Sequence, residues 1–128
     1  MTSMYELSVS RDFVAQHYLT VPDPGPVEGE PHSHQYEVDV RFAGPELNEY
    51  GYLVDIDAVE AALDELTERY RDELLNDLPA FAGNPSVERF ARVFADAVAE
   101  RLDAPTPERL TVRLWEDEIA WASYERSL

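Results

Sequence analysis

The sequence contains no cysteine and no lysine. The first absence excludes disulfides and thiolate chemistry. The second leaves arginine as the only strong base, with ten arginines facing 27 acids for a net charge of −17. Such a surface repels nucleic acid and anionic membranes. The acids are spread along the whole chain, so they do not form an acidic tail. At about 1 M salt the screening length is only ~3 Å, and self-repulsion is largely suppressed. The composition therefore predicts a halophilic surface; an acidic protein of ordinary salt is the plainer alternative. No run approaches the ~20 apolar residues of a membrane span. The opening "MTSMYELSVSRDF" lacks a basic segment followed by an apolar one, so no secretory leader is expected. A cytoplasmic location is the corresponding expectation. Histidine is scarce as well: there are three, His17, His32 and His34.

What is present reads as one domain over residues 1–128. Tyr5, Leu7, Val9, Phe13, Ala15 and His17 share one phase of an alternating stretch, which predicts a strand. "TVPDPGPVEGEP" then breaks the pattern with four prolines and two glycines, a long loop. A second strand places Tyr36, Val38, Val40 and Phe42 on one side and Glu37, Asp39 and Arg41 on the other. Asp57 is expected to cap a first helix, with Glu60 completing a capping box. Val59, Leu63, Leu66, Tyr70 and Leu74 would form its buried stripe. Asn84 and Pro85 are expected as N-cap and first residue of a second helix, whose stripe is Val87, Phe90, Ala91, Phe94 and Val98. Two short strands close the chain, Thr111 to Glu116 and Ile119 to Tyr124. The order β-β-α-α-β-β predicts an α+β domain, a four-stranded antiparallel sheet with two helices on one face. Its two open edges favour oligomerisation.

A strand sends alternate side chains to one face, so His32 and His34 project together, in phase with Tyr36 and Val38. His17 ends the neighbouring strand. Three imidazoles converging from two strands match a three-histidine zinc site with a fourth position open. A His-x-His spacing by itself is a weak signal, and two part-exposed histidines at a strand start are the plain alternative. Glu116 continues the apolar phase of Val112 and Leu114, an unusual place for a carboxylate. There it could accept two charge-assisted hydrogen bonds from a guanidine-like edge.

Six segments carry a resemblance: "DFVAQHYL", "EGEPHSHQY", "GYLVDIDAVE", "LLNDLP", "NPSVERFA" and "VRLWE". In order and spacing they resemble the 6-pyruvoyl-tetrahydropterin synthase and 6-carboxy-tetrahydropterin synthase family. The resemblance implies the tunnelling fold, with subunits forming a β-barrel as a homo-trimer or homo-hexamer and sites between subunits. It implies zinc held by His17, His32 and His34, and Glu116 gripping the amino-pyrimidine edge of a pterin. It further implies a zinc-dependent lyase acting on a reduced pterin such as dihydroneopterin triphosphate, in pterin or deazapurine biosynthesis. Two positions depart from the family pattern. The usual cysteine base, four residues before the first histidine of the pair, is replaced by Glu28, with Glu30 as a rival. The usual Asp-His pair falls on Arg71 and Asp72, leaving Asp72 as the candidate proton-transfer group. Arg11 and Arg71 are the candidate contacts for a triphosphate. A non-catalytic, zinc-containing binder of a pterin or purine is the alternative reading.

Overall fold

The computed structural model describes residues 3–128. Four strands form one antiparallel sheet in the order β1 (Tyr5–His17), β2 (His32–Gly44), β3 (Arg109–Trp115), β4 (Trp121–Ser127). Between β2 and β3 the chain forms α1 (Ile56–Tyr70), two short 3-10 turns (Leu75–Asp77 and Pro79–Phe81) and α2 (Val87–Arg101). The β-β-α-α-β-β order and the antiparallel sheet are as the alternation of apolar residues predicts. Helix α1 packs on β1 and α2 on β3 and β4, so one face of the sheet is covered. No helix among the described residues is long and apolar enough to cross a membrane.

The phases hold along both long strands. Val9, Phe13, Ala15 and His17 of β1 are buried, as are Tyr36, Val38, Val40 and Phe42 of β2. Their register pairs Phe13 with Tyr36, Ala15 with His34 and His17 with His32. Beneath that end of the sheet lies an aromatic cluster. Phe90 of α2 stands with its ring centroid 5.8 Å from Phe13, 5.2 Å from Tyr36, 5.2 Å from Tyr70 and 5.1 Å from Phe81. Edge-to-face pairs of this kind add about 0.5–1.5 kcal/mol each beyond the area they bury.

Both helix caps differ from expectation. Helix α1 is capped by Asp55, whose carboxylate accepts from the N–H groups of Asp57 and Ala58, rather than by Asp57. Helix α2 is capped by Ser86, which accepts from Arg89 N–H, so Asn84 and Pro85 both lie outside the helix. The last strands also shift. Ile119 and Ala120 belong to the turn between β3 and β4, where the Asp117 carboxylate accepts from both of their N–H groups. Strand β4 begins instead at Trp121.

Candidate metal centre

The three histidines meet at the ends of β1 and β2. Their candidate ligand atoms all lie within 4.8 Å of one another. Cross-strand register puts His17 directly opposite His32, and the two-residue period adds His34 on the same face. The three rings approach at centroid distances of 4.6 to 4.8 Å.

Hydrogen bonds at the far side of two rings fix how they present themselves. His17 Nδ1 is 3.0 Å from the carbonyl oxygen of Pro85. A carbonyl only accepts, so Nδ1 carries the proton and donates. His32 Nδ1 donates in the same way to the Glu30 carbonyl at 2.8 Å. In the neutral rings both Nε2 atoms are then left with lone pairs. This is the arrangement by which metal-binding histidines are oriented. His17 is only 1% exposed, and its Nε2 has no hydrogen-bond partner. A buried lone pair without a partner is costly. A neutral-imidazole donor set with such an orphan fits a metal ion such as Zn²⁺.

The corrected cap of α2 explains the Pro85 contact. Had the helix begun at Pro85, its carbonyl would be taken by the Arg89 N–H. Ser86 Oγ takes that N–H instead, at 3.2 Å, and Pro85 O is left for His17. The outer edge of β1 is held at the same end. Asp72 N–H donates to Val14 O at 2.7 Å, and Gln16 N–H to Glu73 O at 2.9 Å. The Asn76 amide then bridges Tyr18, accepting from its N–H at 2.9 Å and donating to its carbonyl at 3.0 Å. Leu74 makes an isolated parallel bridge with Gln16, and residues 72–76 together fix the chain on either side of His17. Sequence reading missed Pro85 and Asn76 as positioning groups, although both fall inside quoted segments; only tertiary contact assigns them their work.

Glu116 reaches the triad. It lies just past the end of β3, with its N–H donating to Ala120 O at 3.0 Å. Its Oε1 is 3.3 Å from His17 Nε2 and 3.4 Å from His34 Nε2. The 3.3 Å contact is an ion pair when His17 is protonated. Burial pushes the His17 imidazolium down, but the Glu116 carboxylate and the Pro85 carbonyl outweigh it and leave His17 above its ordinary value. His34 is held below its ordinary value, by burial first and by its two histidine neighbours. Glu116 is held below its ordinary value, chiefly by His17 and against its own burial.

No side chain of the other expected site residues touches the triad. Glu28 is exposed on the loop before β2. Its carbonyl accepts from Leu19 N–H at 2.7 Å, and its carboxylate folds over Gly25. Glu30 contributes its carbonyl to His32, while its side chain is exposed. Asp72 is exposed on the outer edge of β1, at a positive φ of 60°. Arg11 is paired with Asp64 at 2.8 Å and Arg71 with Glu68 at 3.2 Å. Beside the triad opens a cleft of about 490 Å³ that contains His34 and Glu116. Asp12, Glu37, Asp117 and Glu118 also line it, with no arginine.

The family profile of 6-pyruvoyl tetrahydropterin synthase matches residues 6–127. The chain belongs to this family. Solved structures agree in fold. The 6-pyruvoyl tetrahydropterin synthase of Plasmodium vivax superposes with a TM-score of 0.81 at 15% identity, over 98% of this chain and 99% of its own. Two further structures of that enzyme carry alanine or cysteine in place of a glutamate described as a catalytic residue. The Caenorhabditis elegans enzyme of the same name gives 0.78 at 16% identity, covering 98% of each chain. More distantly, a Burkholderia dihydroneopterin aldolase bound to guanine gives 0.52 at 10% identity, over 98% of this chain and 90% of its own. At these identities the likeness is one of fold, and the fold is the tunnelling fold. No curated protein matches the chain.

Proposed function

We propose that this family member is a zinc-dependent, lyase-type enzyme acting on a reduced pterin. The observation that carries the reading is the buried, partnerless Nε2 of His17 within a three-histidine cluster beside an open cleft. Zinc held by His17, His32 and His34 would polarise a substrate oxygen and acidify the adjacent C–H.

The chain's own residues would do the rest. The cleft carboxylates, Glu116 first, accept the paired N–H groups of a pterin's amino-pyrimidine edge, a charge-assisted contact. Glu28 serves as the base, once its loop turns the carboxylate from Gly25 toward the triad. The catalytic glutamate of the Plasmodium vivax enzyme gives a carboxylate in such a role a precedent. Asp72 moves protons from a second subunit, because within one chain it sits on the outer edge of β1. The free edges of the sheet would close a β-barrel of three subunits, or two such trimers. Dihydroneopterin triphosphate is the substrate to try first. The acid-rich cleft, with no arginine in its lining, favours an uncharged side chain, and a triphosphate would need arginines from a neighbouring subunit.

The distance of Glu28 and Asp72 from the triad supports a second reading, a zinc-containing pterin or purine binder without turnover. Zinc-loaded protein incubated at molar salt with dihydroneopterin and its triphosphate decides between them. The enzyme reading expects product from at least one, and a loss of roughly 10²–10⁴-fold in kcat for Glu28→Ala. Tight pterin binding without product, in wild type and variant alike, establishes the binder instead.

A further inference from the structure

We infer that Glu116 is a fourth metal ligand in the resting protein, closing the site until a substrate displaces its carboxylate. The inference rests on the metal site proposed above and assigns Glu116 a station that the pterin contact does not require.

Three observations carry it. The first is distance. In a tetrahedral zinc site with bonds of ~2.0–2.1 Å, neighbouring ligand atoms are separated by 1.63 bond lengths, or about 3.3–3.4 Å. Glu116 Oε1 stands 3.3 Å from His17 Nε2 and 3.4 Å from His34 Nε2. One oxygen thus lies at tetrahedral-edge distance from two of the three histidines, His17 and His34, while the set of ligand atoms within 4.8 Å of one another is His17, His32 and His34 alone.

The second is proton placement. His17 Nδ1 must donate to the Pro85 carbonyl, so the neutral ring turns a lone pair toward Glu116. A carboxylate is also acceptor-only. Two lone pairs facing each other at 3.3 Å, at a nitrogen sealed from water, repel unless a cation lies between them. In metal-free protein a proton on Nε2 relieves this as an ion pair at 3.3 Å. In the zinc-loaded protein a metal ion bonded to both atoms takes the proton's place.

The third is preorganisation. Glu116 is held by the tight turn after β3, with its N–H on Ala120 O and the Asp117 carboxylate capping the turn. Its side chain is three-quarters buried. The carboxylate is therefore delivered by a fixed turn rather than by a mobile loop. Binding it would also reduce the charge of a three-histidine dication from +2 to +1 in a part-buried site.

The consequence is a ligand exchange. An incoming substrate oxygen takes the metal position, and the released carboxylate becomes free for the ring's N–H edge. A pterin without a chelating side chain would then bind weakly, because nothing displaces Glu116.

Zinc affinity by chelator competition tests this in wild type, Glu116→Gln and Glu118→Gln. The last removes the same charge from the cleft wall. Changes to mere outer partners of a ligand cost 10–100-fold in affinity, so Glu116→Gln should weaken zinc at least ~10-fold and Glu118→Gln hardly at all. Glu116→Asp, whose shorter carboxylate is drawn back, should fall between, and it serves if the glutamine variant does not fold. Unchanged affinity in Glu116→Gln overturns the inference, as does an equal loss in Glu118→Gln. A Glu116→Gln protein that keeps its zinc and loses only pterin binding overturns the inference and leaves the functional reading standing. Wild type that takes up no zinc overturns both.

Discussion

His17 is caught between two demands. Its Nδ1 is committed to Pro85, and its Nε2 faces the Glu116 carboxylate. In metal-free protein a proton relieves that opposition, which predicts a definite pH dependence. Glu116 is held below its ordinary value of 4.5, so its contribution is full above about pH 4.5 and lost as pH falls through the lowered value. His17 is held above its ordinary 6.5, so its contribution is full below about pH 6.5 and lost as pH rises through the raised value. Both are present together only between. The difference in Tm between metal-free wild type and Glu116→Gln should be largest at about pH 4.5–6.5 and shrink on either side. A difference constant from pH 4 to 9 would show that the pair carries no such linkage. At this scale the triad was legible in the sequence, because three scarce histidines fall on one strand phase. Whether Glu28 and Asp72 meet it was not legible. Glu28 sits on a loop rich in proline and glycine, and Asp72 on the outer edge of the sheet, so neither is placed by periodicity.

Elements differ in how openly their ends are written. The buried stripes of both helices follow the 3.6-residue period, and Val59, Leu63, Leu66 and Tyr70 are all buried, but α1 ends at Tyr70 and leaves Leu74, expected in its stripe, outside the helix. The caps do not follow, since Asp55 and Asp57, or Asn84 and Ser86, are equally suitable residue types. Only the direction of the first N–H groups separates them. Ser86→Ala should cost about 1 kcal/mol in denaturant unfolding, and Asn84→Ala much less. The reverse order would restore Asn84 as the cap. Because the Ser86 cap also leaves Pro85 O to His17, Ser86→Ala should weaken zinc binding as well as the helix. Phe90 joins α2 to both long strands through the aromatic cluster beneath the histidines. Phe90→Ala should cost about 3–5 kcal/mol, measured by urea denaturation. A loss under 1 kcal/mol would mean that the cluster is not packed as described.

The molecule as a whole carries −17, and several of its ten arginines are already spent on local acids, Arg11, Arg71, Arg109 and Arg126 among them. The remaining excess of acid must be screened from outside. Raising salt from about 0.1 to 1 M shortens the screening length from ~10 to ~3 Å. Tm should rise over that range, and any self-association should strengthen in sedimentation experiments. A Tm that falls with salt would place the protein among ordinary acidic proteins. The antiparallel sheet and the helical face could be inferred from the sequence, because patterning acts locally. The acidic cleft could not, since it gathers Asp12, Glu37 and Glu118 from three separate segments. The chemistry of the site depends on whether the histidine cluster holds a metal. Anomalous diffraction at the zinc edge, from crystals of zinc-loaded protein, reads that directly. The predicted result is one strong peak per chain, within bonding distance of His17, His32 and His34. A map without a peak among those three side chains would contradict the account.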